Sequence, residues 1–334
     1  MGKIKLGLNG FGRIGRAVTR IASQRDTYEI THINTRKTSN EMLAYLLKYD
    51  SVYRTFGKTV KAVENGIEID GRLVTTSQSP DPTSIPWEQT GVEMVMDATG
   101  AFVKKEQLQA HIRGSVRKVI LTAPAKDHET THVVLGVNDD VVNLKEETIV
   151  SNASCTTNCA APLFKVLSKE LGVKLGYLTT AHAYTQTQSL LDDAGKTEER
   201  SRAAALNIIP STTGAAKAVG QVIPELKGKM DGIAIRVPVP TGSFVDITAL
   251  VERPTTIEEI NSLFKRYSEQ EMKGILGYTE DVIVSSDIIG SSFSSIFDPN
   301  YTNVLDGTFV KIFGWYDNEW GYSMRLADLV ERMA

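Results

Sequence analysis

Three glycines, Gly10, Gly12 and Gly15, set between a strand-like and a helix-like run, constrain this chain more than any other feature. Lys3 to Leu8 alternates with an apolar bias and reads as a strand. Ile14, Ala17, Val18 and Ile21 then recur at helical spacing. A strand, a G-x-G-x-x-G turn and a helix in that order form the opening of a dinucleotide-binding βαβ unit. Gly10 permits the tight turn, Gly12 lets backbone approach a pyrophosphate, and Gly15 allows close helix–strand packing. The phosphates of such a ligand rest on the helix N-terminus. The competing reading is a Gly-rich turn in some other α/β protein.

A second segment, Ser151-Asn152-Ala153-Ser154-Cys155-Thr156-Thr157-Asn158-Cys159, points to chemistry. Glu147 to Val150 reads as a strand feeding it and Ala160 to Leu171 as a helix leaving it, so Cys155 is expected where a helix begins. A helix N-terminus carries partial positive charge and unpaired N–H groups. That setting is expected to lower the thiol pKa and leave Cys155 as the nucleophilic thiolate. The bland alternative is a buried Cys acting as a small apolar residue. Cys159, one turn later, reads as packing. Of the five His, His182 alone follows a strongly apolar strand into a polar loop. It is read either as the proton shuttle of a Cys/His pair or as a structural His bonded to backbone. Arg236 sits in an apolar strand and needs a partner, either an anionic ligand or a salt bridge. Ser211-Thr212-Thr213-Gly214 precedes a helix and reads as a cap or as a phosphate cradle. Two Cys and one His are too few for a closed zinc site, so no metal is expected.

The first half alternates strands with helices: strands at Tyr28–Asn34, Glu93–Asp97 and Lys118–Thr122, and a helix at Asn40–Lys48 with Met42, Leu43, Leu46 and Leu47 on one side. Asn65-Gly66 and Asp70-Gly71 mark hairpin turns of a small antiparallel insertion. A βαβ pattern implies a parallel sheet. The second half has longer strands at Lys174–His182, Gly232–Pro238, Ser243–Glu252 and Thr308–Tyr316, which suggest a mostly antiparallel sheet. Helices are expected at Gly214–Val222, Ile257–Glu269 and Tyr322–Met333. Gln186 to Arg202 is polar, without a clear period, and so functional or at an interface. Trp315 to Tyr322 is an aromatic-rich turn whose simplest reading is packing. At 334 residues the chain is long enough for about two domains. A net charge of −3 without a basic tract argues against nucleic acid or membrane surface as the main ligand. With no apolar signal core, no apolar run of spanning length and two Cys only four residues apart, the chain reads as cytoplasmic.

Taken in order, several segments resemble phosphorylating glyceraldehyde-3-phosphate dehydrogenases nearly end to end: Asn9–Arg16, Leu47–Ser51, Asp97–Gly100, Ser151–Cys159, His182–Thr185, Ile208–Val219, Arg236–Pro240 and Trp315–Tyr322. The resemblance implies an α/β fold with an N-terminal Rossmann-type dinucleotide-binding domain, residues 1–153 joined by a C-terminal helix 319–334. An α+β catalytic domain with a mostly antiparallel sheet is then expected at 154–318. It implies that Cys155 attacks the aldehyde of D-glyceraldehyde 3-phosphate, and that His182 accepts the hydroxyl proton. Hydride passes to the nicotinamide, and inorganic phosphate cleaves the thioester to 1,3-bisphosphoglycerate. It further implies that Thr185 and Arg236 bind the substrate phosphate. Ser154, Thr156, Thr213 and Gly214, with Arg200, would bind the attacking phosphate. Asn9, Gly10, Gly12, Arg13, Ile14, Gly15, Asn34, Thr35, Arg36, Thr99, Gly100, Thr122, Asn318 and Tyr322 would form the cofactor site, with Asn318 orienting the nicotinamide carboxamide. A homotetramer acting in glycolysis or gluconeogenesis is implied as well.

Two departures bear on the cofactor. NAD-specific members of that family end the second strand with Asn-Asp, whereas this chain has Asn34-Thr35-Arg36-Lys37. Losing the carboxylate removes repulsion toward a 2′-phosphate, and Arg36 is able to pair with one. The alternative is that Arg36 and Lys37 are solvated loop charges. Asp193-Ala194 also stands where NAD-specific members carry Leu-Pro. NAD, NADP or both therefore remain open as cofactors. The alternative functions are an erythrose-4-phosphate dehydrogenase, disfavoured by Ala183-Tyr184-Thr185 after the His, and a catalytically silent binding protein of this fold.

Overall fold

The computed structural model describes residues 2–334, which divide into two compact units. The first comprises residues up to Val133 together with Val141–Ala153 and Ser323–Ala334. Its strands are β1 (Ile4–Asn9), β2 (Tyr28–Thr35), β3 (Val60–Val63), β4 (Gly66–Ile69), β5 (Arg72–Gln78), β6 (Met94–Asp97), β7 (Lys118–Leu121), β8 (Thr131–His132) and β9 (Ile149–Ser151). Helices α1 (Arg13–Ala22) and α2 (Asn40–Lys48) and the short α3 (Trp87–Thr90) and α4 (Lys105–Leu108) connect them. The strands form one sheet in the order β3-β4-β5-β2-β1-β6-β7-β9-β8. From β5 to β8 every pairing is parallel; β3 and β4 are the antiparallel insertion. The central strands are buried along almost their whole length, which is why they read as continuous apolar runs. Asp70 and Gly71 both take positive φ, 47° and 79°, as the tight hairpin between β4 and β5 demands. In α2 the buried residues are Leu43, Ala44 and Leu47, while Met42 is 49% exposed. Met42 therefore does not belong to the core stripe expected from spacing.

The second unit comprises Val134–Asp140 and Ser154–Tyr322. It contains helices α5 (Cys155–Leu171), α6 (Ala215–Val222) and α7 (Ile257–Glu269). Its strands are β10 (Val173–Ala183), β11 (Ile209–Thr212), β12 (Met230–Val237), β13 (Ser243–Val251), β14 (Leu276–Tyr278), β15 (Ser295–Phe297), β16 (Asn303–Leu305) and β17 (Phe309–Tyr316). They form a sheet ordered β11-β12-β10-β13-β17-β15-β14, with β16 on β17. It is mostly antiparallel, but β10 pairs with β12, and β14 with β15, in parallel. In β13 burial alternates residue by residue, so one face lies in the core. Phe264 of α7 stacks on Phe297 of β15 at 4.0 Å. A final helix, α8 (Trp320–Met333), starts in the second unit and runs mostly in the first.

Residues 134–140 group with the second unit rather than with the first 153 residues. The Lys165 ammonium of α5 donates to the Val137 carbonyl at 2.7 Å. A Cβ on Gly136 would come within 2.9 Å of Ile275. Both contacts join elements far apart in sequence, so nothing local signals them.

Candidate active site and dinucleotide cradle

In the second unit, Cys155 is the first residue of α5. The chain reaches it through Ala153, a non-glycine residue at φ 53°. Such a backbone costs ~1–3 kcal/mol and clusters at functional sites. Ser154 then caps the helix, its hydroxyl accepting the Thr157 N–H at 3.0 Å. The Cys155 Sγ lies 3.3 Å from Nε2 of His182, the penultimate residue of β10. Arg236 of β12 is the direct register partner of His182 across the parallel pair. Its Nη1 stands 2.9 Å from His182 Nδ1 and donates to the Ala183 carbonyl at 3.2 Å. The same Nδ1 lies 2.7 Å from that carbonyl. Two strands and a helix start thus bring Cys155, His182 and Arg236 together.

Burial works against the thiolate expected from the helix start. Burial pushes the Cys155 thiol up from its ordinary value. The Arg236 guanidinium, the Thr156 N–H and hydroxyl and the residue's own N–H pull it down without prevailing. Burial, and then the adjacent Arg236, push His182 down to about 3. Burial thus opposes both the thiolate and the imidazolium form of the pair. The helix terminus alone does not produce the thiolate, because desolvation of the charge outweighs it.

The expected anion ligands occupy the same unit. Arg200 donates to Thr187 at 3.0 Å and Ser211 at 3.1 Å, and Thr187 and Thr185 hydroxyls lie 2.9 Å apart. The Arg236 Nε is buried with no partner among the described residues. Gly214 precedes α6 without a side-chain cap, while the Thr213 hydroxyl accepts the Ala215 N–H at 3.2 Å. The Thr156 hydroxyl lies 2.9 Å from the Tyr316 hydroxyl. Asn318 is buried, and its Oδ1 accepts from Thr241, Gly242 and Ser243. The amino end of the amide is left to donate to a ligand. Tyr322 is buried in the first turn of α8. Cys159 is fully buried and donates to Ser295 at 3.3 Å, as packing requires.

The first unit holds the glycine turn. Gly10 has φ 102°, and a Cβ there would meet Ala98 backbone at 2.8 Å. A Cβ on Gly15 would meet the Gly10 carbonyl at 2.4 Å. Gly12 is the N-cap of α1 and, having no side chain, offers the helix's first N–H groups no side-chain cap. Arg13 is spoken for: its guanidinium pairs with Asp50 and lies over the Tyr53 ring. Asn9 donates to Asp97 at 2.8 Å and accepts from Asn34 at 2.8 Å. The Asn34 amide is saturated by Asn9, Ser77 and Ser79, so it fixes the end of β2. Thr35 is 7% exposed and its hydroxyl is buried without a partner, whereas Arg36 is exposed. Thr99 binds Asp97 through hydroxyl and N–H, Gly100 follows at φ 65°, and the Thr122 N–H donates to the Asp97 carbonyl. An uncapped helix start, a cradle that a Cβ would fill and an orphaned hydroxyl fit a dinucleotide. Two clefts elsewhere, about 270 Å³ beside α1 and about 780 Å³ beside α7, contain none of these residues.

Residues 154–318 match the family described as glyceraldehyde 3-phosphate dehydrogenase, C-terminal domain, and residues 4–105 its NAD binding domain. The chain belongs to the glyceraldehyde-3-phosphate dehydrogenase family. It is 51% identical to the glyceraldehyde-3-phosphate dehydrogenase of Borreliella burgdorferi over 99% of both chains. It is 49% identical to glyceraldehyde-3-phosphate dehydrogenase 2 of Streptomyces avermitilis over 98% of this chain and 97% of that one. It is 48% identical to the cytosolic enzyme of Ginkgo biloba over all of this chain and 98% of that one. Among the described residues, no helix is long and apolar enough to cross a membrane and no metal-binding cluster occurs.

Within this family member, the sequence reading passed over three residues that hold the site. Tyr316 sets its ring at right angles to His182 at 6.0 Å and its hydroxyl between Thr156 and Thr180. Ser243 joins the Ala183 N–H to Asn318. Asp317 caps α8 through the Glu319 and Trp320 N–H groups, both at 2.9 Å. Only Asp317, an Asp just before a helix, carried a local signal.

Proposed function

We propose that this chain catalyses the reversible oxidative phosphorylation of D-glyceraldehyde 3-phosphate to 1,3-bisphosphoglycerate. The observation that carries the reading is the Cys155–His182 contact at a helix N-terminus, flanked by Arg236. Cys155 adds to the aldehyde carbon, and His182 Nε2, 3.3 Å away, takes the proton that the reaction releases. The nicotinamide cofactor, when bound, supplies the hydride acceptor. The resulting thioester is cleaved by inorganic phosphate, with the thiolate as leaving group. Thr185 and Arg236 hold the substrate phosphate. Backbone N–H groups after Ser154 and Gly214, with Thr156, Thr213 and Arg200, hold the attacking one, as hydroxyl, N–H and guanidinium donors suit tetrahedral anions. Asn318 offers its amide N–H₂ to the carboxamide.

NAD use accords with the matched NAD binding domain. We further infer that NADP is accepted at least comparably, supported by Thr35 in place of a carboxylate and by the exposed Arg36. Leu190, Leu191, Leu206 and Ile208 are 80%, 71%, 79% and 70% exposed, which supports subunit contacts along this stretch and hence a homotetramer. Both Cys are free, in keeping with the reducing cytoplasm. Cofactor reduction that depends on both phosphate and glyceraldehyde 3-phosphate is the expected result. A higher kcat/KM for erythrose 4-phosphate, or no turnover at saturating substrate, would sink the reading.

A further inference from the structure

We propose that Asp97 is a positioning residue for the cofactor: its carboxylate holds the backbone turns of the dinucleotide cradle at fixed separation before any ligand arrives. This rests on the reading of the glycine turn as a dinucleotide site. Asp97 ends β6 and Asn9 ends β1, while Asn34 and Ser77 stand one residue before the ends of β2 and β5. These four strands are neighbours in the sheet. Asp97 is the register partner of Asn9, Asn9 of Asn34, and Asn34 of Ser77, all in parallel pairs. A polar row thus crosses the sheet at the carboxyl ends of its strands, where α/β sheets receive ligands. Asp97, Asn9 and Asn34 are buried, so the row is no solvated rim.

The hydrogen bonds along the row run in one direction, and Asp97 sets it. Carboxylate oxygens only accept. Asn9 therefore turns its N–H₂ to Asp97 at 2.8 Å and its Oδ1 to Asn34, whose N–H₂ donates at 2.8 Å. Asn34 is left with its Oδ1 toward the Ser77 hydroxyl and the Ser79 N–H. From the other side, the Trp87 indole N–H donates to Nδ1 of the fully buried His111 at 3.2 Å. An indole only donates, so Nδ1 carries a lone pair, and the Nε2 hydrogen is directed at Asp97, 3.2 Å away. The second carboxylate oxygen accepts the Thr99 N–H at 3.1 Å and the Thr99 hydroxyl at 2.6 Å. Each oxygen of Asp97 thus has two donors, and no lone pair is spare.

What these bonds fix is backbone. Beyond Asn9 the chain turns through Gly10 at φ 102°, and beyond Asp97 it turns through Thr99 to Gly100 at φ 65°. The two turns are close enough that a Cβ on Gly10 would meet the Ala98 carbonyl at 2.8 Å. One carboxylate bonded to both Asn9 and Thr99 holds this pair of turns, and through Asn34 it holds the end of β2. An amide at position 97 cannot serve, because its N–H₂ would confront two donors whichever way it faced. A site ordered in advance binds more tightly, since less freedom is lost on association. The segments held are common to any dinucleotide, so the effect is blind to a 2′-phosphate.

The test is calorimetric titration of NAD, NADP and ADP-ribose into the whole protein, with melting curves beside it. Asp97→Asn should weaken all three by about tenfold or more, by a common factor, and should raise the cofactor KM more than it lowers kcat. His111→Gln offers an acceptor to Trp87 and a donor to Asp97, and should bind as the wild type does. His111→Leu offers neither and should weaken binding as Asp97→Asn does. Nitrogen-15 spectra of the wild type, which need no variant, should place the His111 hydrogen on Nε2. A purely structural role would lower melting temperatures and leave the affinities alone. Unchanged dissociation constants in Asp97→Asn and His111→Leu would overturn the proposal, as would equal losses in His111→Gln and His111→Leu, or a His111 hydrogen on Nδ1. If the wild type oxidises glyceraldehyde 3-phosphate while these results fail, only this proposal falls. If the affinities change as expected but glyceraldehyde 3-phosphate is not oxidised, only the functional reading falls.

Discussion

Replacing Thr35 by Asp should convert cofactor preference and, in the same stroke, make folding depend on the cofactor. Thr35 ends β2 with 7% exposure and an unpartnered hydroxyl. Its neighbour Asn34 has every side-chain group bonded, so the strand end cannot shift to relieve a new charge. A carboxylate there accepts from the ribose hydroxyls of NAD, at about 1.5–3 kcal/mol for a charged hydrogen bond. Toward NADP the same carboxylate meets a 2′-phosphate; two like charges about 4 Å apart cost ~4 kcal/mol at an effective dielectric of 20. The combined swing in the NAD/NADP ratio of kcat/KM should therefore exceed about a hundredfold, since ~1.4 kcal/mol is tenfold. Without cofactor the buried carboxylate lacks its ribose partners, so the melting temperature should fall and NAD should restore it. Arg36→Ala should cost NADP about 1.5–3 kcal/mol and leave NAD nearly untouched. Steady-state kinetics with both cofactors on the three proteins, with melting curves, reads all of this. If the wild type prefers NAD by more than about a hundredfold and Arg36→Ala leaves NADP kinetics unchanged, the reasoning from the second strand is wrong.

Cys155→Ser should abolish acyl-enzyme formation while Cys159→Ser keeps most activity, because Cys159 is buried against Ser295 and its thiol is pushed up by burial. Peptide mapping after alkylation checks this, and preferential labelling of Cys159 would reverse the assignment. His182→Asn should lower kcat by roughly 10²–10⁴-fold, the scale of a lost general base. Near-normal turnover with an unshifted pH profile would assign the proton transfer to another group. Stability should fall on acidification from pH 6.5 toward 4. Burial pushes His32 down from 6.5 to about 4, so the unfolded chain takes a proton that the folded chain refuses. That difference of 2.5 units amounts to about 3 kcal/mol, present in full above pH 6.5 and lost as pH approaches 4. Urea midpoints at pH 7 and pH 4.5 should converge in part in His32→Gln; an unaltered difference would exclude His32 as a source.

What was legible in the sequence is what adjacent residues decide. The glycine turn was readable because the positive φ of Gly10 and the approach of Gly15 to the Gly10 carbonyl are demands within one strand–turn–helix unit. Cys155 was readable as a helix-start residue for the same reason, and the Asp70-Gly71 hairpin needs only its own two dihedrals. The charge states were not readable, and the thiol shows why. Sequence spacing supplies the helix terminus, which favours thiolate, but not the burial and the Arg236 contact, which come from pairing β10 with a strand 54 residues away. Arg13 and Asn34 repeat the point in the other unit. Both were expected to face the cofactor, and each spends its side chain on residues distant in sequence, Asp50 for the one and Ser77 and Ser79 for the other. A motif therefore locates the backbone that meets a ligand more securely than the side chains that will touch it. Cys155 shows the difference: its place at a helix start is local, while the Arg236 that stands beside its partner His182 is brought there by a strand pairing the local sequence does not signal.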